Sequence, residues 1–152
     1  MTTQTAIDYL QLFNTRREYF RLLLNLSRKQ ASCIHDEHYH DLVDILSQKQ
    51  RILGSLDELS KTRHRHIQEW TMAREQLDPK MRAACEDCLA ESESLLADLL
   101  SEETSSTTHL TTRRDKTRKQ LLAVSQGSHV HAAYHNTESP SDSTSIHLDV
   151  NQ

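Results

Sequence analysis

Two glycines (Gly54 and Gly127) and two prolines (Pro79 and Pro140) are the only strong chain breakers in 152 residues. That scarcity constrains the fold more than any other feature. Sandwiches and barrels need a tight turn about every ten residues, and such turns draw on Gly and Pro. This chain has to run in long segments, which favours helices. Its hydrophobic share of 36% lies below the roughly 45–50% of a typical globular domain. A deep, wide core is therefore excluded, and helices with narrow apolar stripes are favoured. The expected fold class is all-α: an elongated antiparallel helical hairpin or bundle of about three long helices.

Periodicity places the helices. Steps of three and four from Leu10 give Phe13, Arg17, Phe20, Leu24, Ser27, Ala31 and Ile34. The neighbouring track is Tyr9, Leu12, Arg16, Tyr19, Leu23, Leu26, Gln30 and Cys33. Together they make a face broad enough for two neighbours, so a first helix is expected over about 5–34. His35-Asp36-Glu37-His38 is a break without Gly or Pro, with Asp36 as the expected N-cap of the next helix. The second helix carries Leu42, Ile45, Lys49, Ile52, Leu56, Leu59, Arg63, His66 and Trp70 on one track, flanked by Leu46, Leu53 and Ile67. Lys49 sits inside that seam, where a lysine sets register or oligomeric state at a cost in stability. Gly54 falls on the solvent side.

Asp78-Pro79 is the clearest punctuation, since Asp suits an N-cap and Pro the first helical position. The third helix then presents Met81, Cys85, Cys88, Ser92, Leu95 and Leu99. Between Ser101 and Gln120 the only large aliphatic residue is Leu110, and apolar residues resume at Leu121, Leu122 and Val124. Gly127 is the expected helix stop. Residues 136–152 hold six Ser/Thr, three acids and no Lys or Arg, a composition that points to disorder. The expected organisation is a helical domain over 1–134 and a disordered tail over 135–152. Ile146, Leu148 and Val150 alternate in that tail, a pattern suited to adding a strand to a partner's sheet.

Charge and chemistry narrow the function. Lys plus Arg is 18 against 22 Asp plus Glu, which argues against a general nucleic-acid binder. The basic run Arg113–Lys119 is expected to be a solvated helix face. No stretch approaches the roughly 20 apolar residues of a membrane span, and the N-terminus shows no signal-peptide pattern. With three cysteines, no disulfide framework is expected. The chain is expected to be cytoplasmic, without membrane insertion. Cys85 and Cys88 lie inside a helix with Glu86 and Asp87 between them, and acids disfavour a thiolate. They are expected to be small core residues. Ten histidines fall in clusters at His35, His38 and His40, at His64 and His66, and at His129, His131 and His135. Neither they nor the Cys pair has structural-zinc spacing. No metal, no cofactor and no enzyme activity are expected.

The stretch LLLNLSRKQASCIHDEHYHDLVDILSQKQRILGSLDEL, from Leu22 to Leu59, resembles the N-terminal half of FlgN-type flagellar export chaperones. A leucine-rich helix is followed by a short acidic hinge and then by Leu42, Leu46, Lys49, Gln50, Leu53, Leu56 and Leu59. Leu121 to Tyr134 resembles the family's late amphipathic region. The polar section 101–120 and the histidine-rich end depart from the pattern. The resemblance implies a cytoplasmic chaperone of type III flagellar export. Such a chaperone holds hook–filament junction (hook-associated) proteins and hands them to an export gate component. Carried over, Leu110, Leu121, Leu122 and Val124 are candidates for client binding, and Tyr134 for docking to the export gate. Read from periodicity alone, Leu121, Leu122 and Val124 serve equally well to close the bundle against the first helix. The competing reading of the chain is a self-assembling structural coiled coil without a secretion client. A homo-oligomer is compatible with either.

Overall fold

The structure is a computed structural model that describes the backbone of residues 2–138 and the side chains of residues 9–127. It is helical: α1 spans Thr2–His35, α2 Tyr39–Thr62, α3 His64–Ala73 and α4 Pro79–Glu138, with a 3-10 turn over Arg74–Gln76. There is no strand among the described residues. None of the helices is long and apolar enough, over the described residues, to cross a membrane. The chain divides into two units, Met1–His109 and Leu110–Gln152, and the boundary falls inside α4.

The first break is built differently from expectation. Glu37 takes a left-handed conformation (φ 60°). The His38 N–H reaches back to the Cys33 carbonyl (2.9 Å) and the Glu37 N–H to the Ile34 carbonyl (3.3 Å). This bond pair is a Schellman motif, which satisfies the orphan carbonyls of a helix end. Glycine usually occupies the left-handed position, so a glutamate there left no signal. Asp36 belongs to the end of α1 and does not cap α2. The N-cap is His38, and it makes no side-chain capping bond.

The second expected helix is two helices. Thr62 Oγ1 donates to the carbonyls of Glu58 (2.9 Å) and Leu59 (3.3 Å), a back-bonding arrangement that bends helices. Arg63 leaves helical geometry there (φ −112°, ψ 13°), and α3 restarts at His64. The break redirects Trp70 onto the ring of Tyr9 (centroids 5.2 Å apart) and edge-on to Phe13 (4.9 Å). Leu77 is extended, and α4 begins at Pro79 as its sequence signal requires.

Within Met1–His109, α1, α2 and the first part of α4 share a core. Tyr9, Leu12 and Phe13 pack with Cys85, Cys88, Leu59 and Trp70 at one level. At the next, Phe20, Leu23 and Leu24 pack with Ile52, Leu56, Leu95 and Leu99. Contacts move down α2 as they move up α1, so these two are antiparallel. The pairs Asn14–Cys88, Arg17–Glu91 and Ser27–Glu103 keep separations of 74, 74 and 76 residues. That near-constant offset makes α1 and α4 parallel, and the long return through α2 and α3 makes it possible. Both stripes of α1 are used, and they pack together with α2, α3 and α4. Met81, Cys85, Cys88, Ser92, Leu95 and Leu99 are buried or half-buried, as the spacing of α4 predicts.

Gly127 does not stop α4. It has no positive φ, and an added Cβ there meets nothing within 4 Å. A glycine inside a helix costs about 1 kcal/mol relative to alanine, too little to end one. The helix runs to Glu138. Apart from its first residues, the tail expected over 135–152 lies outside the described residues.

Candidate functional site

Lys49 is buried, as its place in the seam of α2 implies. Its Nζ donates to Gln30 Oε1 (2.7 Å) and to the Glu103 carboxylate. Ser27 Oγ donates to the same Glu103 oxygen (2.6 Å). One polar layer therefore joins α1, α2 and α4. Burial pushes the Glu103 carboxyl up, but hydrogen bonds from Lys49 and Ser27 outweigh it and its pKa is lowered. Such a layer adds less stability than apolar packing of the same volume, because Lys49 is desolvated and Glu103 partly so. What it adds is register: Lys49 finds both partners in only one alignment of the three helices. Sequence reading located Lys49 but missed Glu103. The signal was there, since Glu103 is one turn beyond Leu99 on the buried track of α4.

Above this layer lies a cavity of about 110 Å³ lined by Ala31, Ile34, His35, Ser105, Ser106 and His109. Ser106 Oγ is buried there without a protein partner. The site is roomy and polar enough for water. No group of three or more His, Cys, Asp or Glu residues is placed to hold a metal ion among the described residues. Cys85 and Cys88 are buried in the core. Burial raises the Cys85 thiol pKa, and Cys88 and Glu86 raise it further. A thiol so placed is a packing group and a poor nucleophile.

The residues singled out for client binding are on α4, in the unit that begins at Leu110. Leu121, Leu122 and Val124 are 65%, 56% and 71% exposed, and Leu110 is also exposed. Leu110, Leu121 and Val124 are spaced to share one helix face, since eleven residues make almost three full turns. Leu122 stands to one side of it. Arg114, Lys116, Arg118 and Lys119 are exposed around these apolar positions. Tyr134 lies outside the described side chains. A second apolar surface escaped sequence reading. Tyr39, Val43, Leu46 and Leu53 of α2 are 46–61% exposed, and Leu100 of α4 is exposed as well. Leu46 and Leu53 read as flanks of the buried seam. Their extension to Tyr39 and Val43 shows only when the buried side of α2 is known.

No known protein family, curated protein or solved structure matches the chain.

Proposed function

We propose that the chain is a cytoplasmic export chaperone of the FlgN type. It binds a helical terminal segment of a hook–filament junction protein and delivers it to a component of the flagellar export gate. The observation that carries this reading is the run of exposed apolar side chains, Leu121, Leu122 and Val124, in the stretch of α4 that follows the polar section 101–120. Leu121 and Val124, at i and i+3, offer one face to an amphipathic partner helix, and Leu122 flanks it. The arginines and lysines of 113–119 put positive charge on its N-terminal side, so the favoured client segment is acidic at the end that meets it. Leu110 extends the same surface, and Tyr134 is the proposed contact to the export gate. Chemistry plays no part, since binding and release are the whole activity.

Calorimetric titration of the full-length chain with the terminal helical segments of hook–filament junction proteins tests this. Micromolar or tighter binding is expected, with loss of binding when Leu121, Leu122 and Val124 are all changed to Ser. Absence of heat with every segment ends the chaperone reading.

A further inference from the structure

Six of the nine residues from Ser101 to His109 are Ser or Thr, and none has an aliphatic side chain. The nine before them, 92–100, hold four leucines. Ser and Thr are weak helix formers, because their hydroxyls compete for backbone groups. Here they do so: Thr104 Oγ1 donates to the Leu100 carbonyl and Thr108 Oγ1 to the Thr104 carbonyl, both at 2.9 Å. Those carbonyls also serve the helix's own N–H groups. Thr62 makes the same kind of bond at the end of α2, where the helix breaks one residue later. Packing does not make up the difference. Within Thr104–His109 only Ser106 is buried, beside the cavity of about 110 Å³ that Ala31, Ile34 and His35 also line. Its hydroxyl has no hydrogen-bond partner among the described residues. Water in so polar a cavity reaches this turn from its core side, while solvent covers its outer side.

We propose that Thr104–His109 is the opening point of α4: its helical hydrogen bonds break while the core up to Glu103 stays formed. Few buried apolar contacts and backbone bonds open to water are the conditions under which a segment opens at low free energy. Upstream the helix is held. Leu99 packs with Phe20, Leu23 and Leu24, and Glu103 bonds to Lys49 and Ser27. Opening beyond Glu103 breaks none of these contacts, so the register of the three helices survives it. It also gives the Ser106 hydroxyl full access to water, which a buried polar group without a partner favours. Downstream, residues 110–127 are exposed apart from the half-buried Arg113, and a helix of that length without packing is marginal in water. The opening point therefore divides α4 into a part fixed by the core and a part whose helix is completed by a partner. One consequence rests on the chaperone reading: a client helix laid along Leu121 and Val124 closes this stretch as it binds.

Amide hydrogen exchange on the free full-length chain, read on overlapping peptides, tests the opening point. Protection is expected to persist through Leu99 and to drop sharply between Glu103 and Leu110. The Thr104→Ala/Thr107→Ala/Thr108→Ala variant removes both hydroxyl bonds at exposed positions and raises helix propensity. Exchange over 104–113 should slow about tenfold in it, with exchange in α1 unchanged. A drop that begins before Leu99, one that comes only after Leu110, or unchanged exchange in the triple variant overturns the proposal. No client enters these measurements, so they succeed or fail independently of the chaperone reading.

Discussion

Helix α4 before and after His109 makes an instructive contrast. In residues 79–109 two glutamates are half-buried and two serines are buried. In residues 110–127 three leucines and a valine stand in solvent. Hydrophobicity alone orders these side chains the wrong way round. What decides burial is whether another helix stands opposite. Glu103 is half-covered because Lys49 and Ser27 meet it, and Leu121 stands exposed among the described residues. The first region spends its sequence on one defined alignment, and the second keeps its apolar groups available.

Four experiments break or sharpen this contrast, beginning with the largest effect. Leu23→Ala removes a fully buried side chain from the second core level and should cost about 3–4 kcal/mol in denaturant unfolding. The matching Leu122→Ala change should cost less than about 0.5 kcal/mol, because it vacates no packed site. Equal losses at both positions would erase the distinction. Next, Lys49→Met leaves the Glu103 carboxylate without its cation and should cost about 2 kcal/mol, reduced from the fully buried case by the exposure of Glu103. Adding Glu103→Leu should recover most of that loss, since an apolar pair of similar size needs no desolvated ions.

The same layer gives a pH signature. The folded-state pKa of Glu103 is below its ordinary value. Its carboxylate therefore contributes stability above the unfolded-state pKa of about 4.3, and that contribution disappears as pH falls through the folded value. Chemical unfolding followed below pH 5 should show a shallower decline for Glu103→Gln than for wild type. Coincident curves would mean that the layer carries no net charge interaction. The smallest effect comes from relieving backbone strain. Glu37 holds a left-handed conformation that costs a non-glycine residue about 1 kcal/mol. Glu37→Gly should raise stability by up to that amount, measured as a higher midpoint of thermal unfolding.

Much of this molecule was legible before any coordinates. The shortage of Gly and Pro dictated long helices, because a chain without turn formers has few ways to reverse. Three-four spacing placed α1, the start of α2 and the start of α4, and it marked Cys85 and Cys88 as core. It also put Lys49 in the seam. These are local properties, set by 3.6 residues per turn and by which residues open a helix. Other features were settled by tertiary contact. The Schellman turn at Glu37 has no glycine to announce it. The break at Arg63 rests on a threonine hydroxyl competing for backbone carbonyls. Glu103 becomes interior only because helices α1 and α2 bring Ser27 and Lys49 to it, from 76 and 54 residues away. The apolar residues of α2 likewise divide into core and surface only when two other helices occupy one side of it. A sequence records which side chains are apolar, but burial is a property of pairs of surfaces, and pairing across such separations leaves no local mark.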